Sequence, residues 1–309
     1  MVQRDYLEVI AKECNIYDTA NVDDAIDKIY ALDEKFEHDT LVEIYNYFLE
    51  VSKNPEILMC TIRCIDRIRD TANLGKLLDL LLLKGIEKDK FIDVRVMCAK
   101  AIANLKDTSA VTSLLYCLNN KDENYKVRLA CADALGKIGD RYAVAPLIAV
   151  VKDEDEKSVY LRESAASALG ILGDMRAVEP LVSILETQKG IWDKFTFLKE
   201  RVIEALGKLR LDNNERVFNA LKNSLIDESP QVRINAIEAI MESENPKAVD
   251  TIKNCLVEDS DNEVKKNALI ALYNLIGREI LDEVANSPEY SDFLKMEAVS
   301  MISEYEEDE

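Results

Sequence analysis

The sequence has very little of what most catalytic sites require. Its 309 residues contain one histidine, His38, which lies between Glu37 and Asp39. A histidine-based triad, a zinc protease motif and a multi-histidine iron site each need more histidines or a different neighbourhood. Neither GxGxxG nor GxxxxGK[ST] occurs, which removes the common phosphate-binding loops. We therefore expect no catalytic residue, no metal and no cofactor, and we expect that the protein is not an enzyme.

Helix-breaking residues and long apolar runs are also scarce. Nine glycines and six prolines in the whole chain favour helices over strands. The most apolar stretch, from Leu77 to Leu83, is interrupted by Asp79 and is far too short to cross a bilayer. The first ten residues contain charges and no apolar core, so they do not resemble a signal peptide. These features predict a protein that stays in the cytoplasm without contacting a membrane.

Positive charge is in deficit. The chain has 59 acidic and 39 basic residues and a formal net charge of -20, so it would repel a nucleic-acid backbone. A protein partner fits this charge better than a nucleic acid does. The last residues, 304–309, form an acidic run that is typical of a solvated tail.

The seven cysteines are odd in number and include no CxxC pair. Cys60 and Cys64 lie one helical turn apart and could share a metal, but no further ligands lie near them in the sequence. We interpret all seven as small core residues in a reducing compartment.

A short motif repeats along the chain. Alanines followed by leucine or isoleucine recur with separations of 33, 34, 37, 34 and 32 residues. These alanines are Ala101, Ala134, Ala168, Ala205, Ala239 and Ala271. Seven residues before each lies an apolar residue followed by arginine or lysine, as in Val127 and Arg128. Periods of roughly 20–50 residues indicate a repeat array. With degenerate copies near residues 57 and 294, the sequence predicts about eight units.

Each unit has the pattern of a helical hairpin. Apolar residues from Val127 to Ile138 follow helical spacing and form the first helix. Gly139 is expected to end this helix and Asp140 to cap the next helical segment, with Pro146 near the start of the second helix. Because one hairpin cannot cover its own apolar face, neighbouring hairpins must stack into a curved superhelix.

Three recurring residue types have structural explanations. Glycine inside the first helix, at Gly136, Gly170 and Gly207, costs about 1 kcal/mol relative to alanine, and we expect close approach of the paired helix to compensate. The recurring aspartates are expected to cap helices. The recurring arginines are expected to bridge to acidic groups of adjacent units. The two sets are Asp140 and Asp174, and Arg128, Arg162 and Arg233.

The string from Val127 to Asp140, with Ala143 to Ile148 shortly after it, resembles the HEAT-like repeat of the phycobilisome-lyase (E/Z) type, within the HEAT-repeat superfamily. Residues 161–185 resemble it equally well, and the resemblance covers roughly residues 57–300. It implies an all-α fold, a right-handed α-α superhelix of HEAT or armadillo type. Later units depart from the pattern, since Met241 and Tyr273 replace the helix glycine and Glu244 and Ile276 replace the cap glycine.

The resemblance also suggests activities to consider. Deoxyhypusine hydroxylases of this class bind iron through His-Glu pairs, and no such pair occurs here. HEAT-like DNA glycosylases need a basic face, which the net charge opposes. Phycobilin lyases are built from such repeats, so an accessory or chaperone role in chromophore attachment is the alternative to a non-catalytic scaffold.

We divide the chain into an N-terminal helical cap (1–56), a solenoid of repeats (57–303) and the acidic tail (304–309). In residues 1–56, apolar stripes at helical spacing predict two or three helices, which either cover the first repeat or form a recognition element. The stripes are Tyr6, Val9 and Ile10; Ala25, Ile26 and Ile29; and Leu41, Ile44, Tyr45 and Phe48. In HEAT arrays the second helices line the concave wall, and a protein partner would bind there. The predicted contact residues are Thr112, Tyr116, Glu179, Ser183, Asn219, Asn223, Asp250 and Asn254.

Residues 186–198 break the repeat period and contain the only tryptophan, Trp192, close to Phe195. Loop insertions in solenoids map to one face, and aromatic residues are common anchors at interfaces. Alternatively, these two aromatic residues fill a wider gap between repeats. The sequence thus predicts a monomeric scaffold or adaptor for a protein partner of unknown identity.

Overall fold

The structure is a computed structural model, and it describes residues 3–17, 21–187, 196–209 and 214–307. In these ranges the regular elements are all helical, which confirms the predicted all-α class. The α-helices are α1 (Arg4–Glu13), α2 (Val22–Tyr30), α3 (His38–Val51), α4 (Pro55–Ile68), α5 (Leu74–Leu81), α6 (Ile92–Leu105), α7 (Val111–Asn119), α8 (Tyr125–Ile138), α9 (Val144–Lys152), α10 (Val159–Leu172), α11 (Val178–Thr187), α12 (Thr196–Lys208), α13 (Glu215–Ser224), α14 (Pro230–Glu242), α15 (Ala248–Glu258), α16 (Asn262–Ile276), α17 (Glu279–Asn286) and α18 (Asp292–Glu307).

None of the helices in these described ranges combines the length and the apolar character needed to cross a bilayer.

The chain forms two compact units, Met1–Val150 and Val151–Glu309. The first unit contains the N-terminal helices and the repeats up to α8 and most of α9. The second contains α10 to α18. In both, the first helices of the repeats are the even-numbered helices from α4 onwards, and the second helices are the odd-numbered ones from α5 to α17. The handedness and the number of hairpins stay predictions.

Successive first helices pack directly on one another. In the first unit α4 contacts α6, and α6 contacts α8; in the second unit α10, α12, α14 and α16 contact one another in turn. Second helices inside each unit pack more extensively on the first helix of the following repeat than on their own hairpin partner, as α5 does on α6 and α15 on α16. The tightest helix pairs therefore join one repeat to the next.

Helix ends follow the predicted chemistry. Asp140 and Asp174 each accept a hydrogen bond from the backbone N–H two residues later, at 2.9 and 3.0 Å, and so cap the short 3-10 turn that leads into the second helix. Gly139 and Gly173 end α8 and α10 with φ of 85° and 63°, the left-handed region that glycine adopts without strain. Both predicted roles are confirmed.

In the later repeats the end of the first helix changes. Glu244 adopts φ of 52° although it carries a side chain, so it does take the place of the cap glycine. Ile276, which stands at the same repeat position in the last of these units, does not adopt the cap conformation. Ile276 is the last residue of α16, and Gly277, with φ of 76°, comes directly after it. This helix is therefore one residue longer than the repeat pattern indicates.

The explanation given for the internal glycines also needs a correction. A Cβ atom on Gly170 would lie 2.8 Å from Cα of Ala205, in α12. The helix that comes close is thus the first helix of the next repeat and not the paired second helix. Because the residue facing Gly170 is an alanine, the two backbones meet here with almost no side chain between them.

Three helices precede the repeats, as expected. In α3 the predicted stripe of Leu41, Ile44, Tyr45 and Phe48 is buried. In α1 the predicted stripe was partly wrong, because Tyr6 and Val9 are both 49% exposed. The buried face of α1 consists instead of Leu7, Ile10 and Ala11.

Candidate partner-binding surface

The residues predicted to contact a partner lie on second helices, as the repeat alignment required. Thr112 and Tyr116 lie on α7 in the first unit, and the side chain of Tyr116 is 59% exposed. The other six lie on three successive second helices of the second unit. They are Glu179 and Ser183 on α11, Asn219 and Asn223 on α13, and Asp250 and Asn254 on α15. Ser183 is half-buried and the other five are exposed.

Ion pairs connect these second helices to one another. Arg216 of α13 lies 2.5 Å from Glu179 and 3.3 Å from Glu186, both in α11. Lys247, which precedes α15, pairs with Glu215 of α13 at 2.8 Å. A third pair at 2.9 Å, between Lys253 and Glu283, joins α15 to α17. Each pair is exposed and worth less than about 1 kcal/mol. Together they make one continuous polar surface from α11 to α17.

The other two predicted contact residues, Trp192 and Phe195, lie outside the described residues. Whether they anchor a partner or fill a gap between repeats stays a prediction.

Buried basic residues at the start of the first helices have a structural role. Nε of Arg95, Arg128 and Arg162 each donates a hydrogen bond of 2.9 Å to a backbone carbonyl at the end of the preceding second helix. These carbonyls have no partner within their own helix, so the guanidinium group satisfies them. These three arginines thus fasten α6, α8 and α10 to the helix before each of them.

Arg95 and Arg233, both buried at the start of a first helix, reach forward to a carboxylate near the next repeat. Arg95 holds Glu123 through two hydrogen bonds of 2.9 and 2.6 Å, and the two side chains are 1% and 6% exposed. Arg233 holds Asp259 in the same way at 2.8 and 3.0 Å. The predicted bridge to an adjacent repeat is therefore confirmed for Arg233.

Desolvation opposes ionisation of Glu123, yet its pKa is lowered, because Arg95 and the backbone N–H of Asn124 stabilise the carboxylate. Because the pKa of Glu123 is lowered on folding, its ionised carboxylate stabilises the folded protein in full above the ordinary pKa of about 4.5. This stabilisation is lost as the pH falls from there through the lowered folded value.

Groups suited to catalysis or metal binding are few. The described ranges contain no cluster of three or more residues able to hold a metal ion. His38 lies at the start of α3, half exposed, with Nε2 2.9 Å from Oδ2 of Asp70. The buried thiol of Cys64 lies 3.3 Å from the guanidinium group of Arg67. Its hydrogen bond with Cys60, supported by Arg67, lowers the pKa of Cys64 to about 7.

The other cysteines agree with the core interpretation. Cys98 and Cys131, which share a repeat position, are both 0% exposed. Only Cys255, among the seven, is half-buried and not fully buried.

A row of carboxylates on the first helices of the second unit was not anticipated. We call it the acidic row, and it consists of Glu163 on α10, Glu200 and Glu204 on α12, and Glu238 and Glu242 on α14. The repeat alignment contains a signal, because Glu163 and Glu200 lie five residues before their alanines and Glu204 and Glu238 lie directly before theirs. Carboxylates are so frequent in this sequence that position alone did not single these out.

The environment of the acidic row raises the pKa of three of its members. Desolvation is the largest cause for Glu163, Glu200 and Glu238. The pKa of Glu200 is raised further by Glu204 and Glu163, and that of Glu238 by Glu242 and Glu204, while Arg201 acts in the opposite direction on Glu163 and Glu200. Negative charges on three adjacent helices therefore act on one another.

A small cavity lies between α12, α13 and α14, bordered by Gly207, Val217 and Ala239 among others. Its free volume of about 10 Å³ corresponds to roughly one water molecule. A tetrapyrrole would not fit there.

Comparison with known proteins places this geometry in a family. The model for HEAT repeats matches residues 80–160, 120–192 and 193–273, which together make up more than half of the chain. No curated protein matches the sequence.

The chain is also similar to three solved structures. The complex of CpcE and CpcF of phycocyanin lyase from Nostoc sp. PCC7120 is 22% identical, with a TM-score of 0.48, over 75% of this chain and 87% of that chain. Human deoxyhypusine hydroxylase in complex with glycerol is 16% identical, with a TM-score of 0.39, over 87% and 97%. The karyopherin Kap121p bound to the SUMO protease Ulp1p is 10% identical, with a TM-score of 0.53, over 98% of this chain and 37% of that chain. At 10% identity the karyopherin shows a shared fold and nothing further. The family matches confirm what the repeated motif predicted: the chain belongs to the HEAT-repeat family.

Proposed function

We propose that this protein is a non-catalytic scaffold or adaptor that binds a protein partner through the exposed face of its second helices. The observation that carries the proposal is the continuous polar surface from α11 to α17. It displays Glu179, Asn219, Asn223, Asp250 and Asn254 to solvent. Neighbouring helices are held in register by the ion pairs of Arg216, Lys247 and Lys253.

The chemistry of this surface suits a folded protein or a peptide. Asparagine amides both donate and accept hydrogen bonds, so they can pair with the backbone of a partner as well as with its side chains. Arg216, Lys247 and Lys253 are paired with glutamates, and Lys222 is exposed between Asn219 and Asn223, so the surface carries little positive charge to attract phosphate groups. Polar interfaces of this kind reach specific affinity through hydrogen bonds and ordered water.

Capture from a native lysate by the full-length protein, with identification by mass spectrometry, tests the proposal. The paired variant Asn219→Arg with Asn223→Arg places two long charged side chains in the middle of the surface. We expect it to lose the stoichiometric partner that the wild type captures. Met296→Arg is the matched control, because Met296 is 74% exposed on α18. Equal capture by the wild type and the paired variant would show that the second helices are not the binding surface.

A further inference from the structure

The acidic row contains two carboxylates, the half-buried Glu163 and the buried Glu200, that accept no hydrogen bond from the described residues. Oε1 of Glu163 is a buried oxygen atom that accepts no hydrogen bond. Glu200 is 8% exposed, and no hydrogen-bond donor reaches it from the described part of the chain. A buried polar group without a partner destabilises a fold. Core packing gives no reason to keep two such groups side by side.

Few cations of the protein itself are available to this row. Arg201 lies within it and is bonded to Glu204, with its Nη1 2.7 Å from Oε2. Lys208 is exposed at the end of α12. Lys266, on the next first helix, occupies the repeat position of Glu163 and Glu200 but pairs with Glu297 at 2.9 Å. Among the described residues, Arg201 is thus the only cation that acts on Glu163 and Glu200, and none acts on Glu238.

The close packing of the first helices concentrates this negative charge. The backbones of α10 and α12 meet at Gly170 and Ala205. Between α12 and α14, Oε2 of Glu242 lies 3.1 Å from the place where a Cβ atom of Gly207 would be. Carboxylates from three helices are thereby brought onto a narrow strip.

We propose that the acidic row binds arginine side chains from a basic segment of a partner protein. A guanidinium group donates to two carboxylate oxygens at once, is less strongly hydrated than an ammonium group, and remains charged when it is desolvated. Glu238 and Glu242 are exposed and Glu163 is half-buried, so a guanidinium group can reach their carboxylates, and its charge would also offset that of the buried Glu200. A divalent metal fits less well, because the described residues contain no group of three ligands with suitable geometry. This second surface lies on the first helices and is separate from the surface of the proposed function.

Fluorescence anisotropy with a labelled oligoarginine peptide and the full-length protein tests the inference. The site variant is Glu163→Gln with Glu200→Gln. The control, Glu228→Gln with Glu289→Gln, changes the net charge equally at two exposed positions of the same unit. At physiological ionic strength, where long-range attraction is screened, we expect the site variant to bind about tenfold or more weakly and the control to change less than about twofold.

A thermal melt accompanies each titration. Removing two unpartnered buried charges should raise the melting temperature of the site variant, so that weaker binding does not come from unfolding. Equal loss of affinity in both variants would overturn the inference, since it would show attraction by net charge alone. Saturable calcium binding that the site variant abolishes would overturn it in favour of a metal site. Either result leaves the proposed function untouched, because the second helices carry none of these carboxylates.

Discussion

Two glycines at the same repeat position are expected to respond in opposite ways to replacement by alanine. Alanine is favoured over glycine inside a helix by about 1 kcal/mol, so propensity alone would stabilise both variants. At Gly170 the new methyl group would lie 2.8 Å from Cα and 3.0 Å from Cβ of Ala205, and the backbone of α12 cannot move aside locally. Overpacking of this kind costs about 1–3 kcal/mol. We expect Gly170→Ala to destabilise the protein by up to about 2 kcal/mol.

At Gly207 the new methyl group meets a different environment. Its nearest contact is Oε2 of Glu242 at 3.1 Å, the end of a flexible side chain that can rotate away, and the next is Cβ of Ala239 at 3.4 Å. We therefore expect Gly207→Ala to be neutral or stabilising by up to about 1 kcal/mol. Urea unfolding of both variants measures the two free energies. If Gly170→Ala proved as stable as Gly207→Ala, the argument from close approach of α10 and α12 would be wrong.

Two further predictions concern charge. Arg95→Ala leaves Glu123 buried without its partner and should destabilise the protein by about 3–5 kcal/mol. Lys247→Ala breaks an exposed ion pair and should destabilise it by less than about 1 kcal/mol. Urea unfolding compares the two variants, and similar losses of unfolding free energy would contradict this ranking. Glu200→Gln should stabilise the protein by about 1–3 kcal/mol at pH 7, because it removes a buried charge without a partner. Because the pKa of Glu200 is raised in the folded protein, the wild type gains stability as the pH falls toward about 4.5. The difference in stability between the variant and the wild type should disappear there. A difference that persisted at low pH would refute the ionic explanation.

Local sequence signals predicted most of the fold. The apolar spacing in a unit, the glycine that ends its first helix and the aspartate after it are governed by residues within one or two turns of each other, and the structure confirms them at Gly139 and Asp140. The burial of Cys98 and Cys131 results from the same periodicity.

Contacts between repeats were harder to predict, because they depend on how helices are placed in space. The neighbour of Gly170 is Ala205, 35 residues away, and nothing in the local pattern distinguishes it from a residue of the paired helix. The acidic row was missed for the same reason. Glu163 and Glu200 resemble any other surface glutamates until α10 and α12 bring them together. In α1, the exposed positions of Tyr6 and Val9 depend on which face meets α3, and an isolated apolar pattern does not specify that face.

The buried arginine clamps set limits on how such a chain can be shortened or recombined. Arg95 ties the end of α5 to the start of α6 and also reaches Glu123, so one side chain spans three consecutive segments from Leu81 to the turn before α8. A chimera joined between α7 and Glu123 could leave the guanidinium group of Arg95 buried without its carboxylate partner, even if every helix were kept whole. Exchange of repeats between homologous arrays should therefore succeed when each arginine stays on the same side of the joint as the carboxylate it holds. It should fail when the joint separates the two.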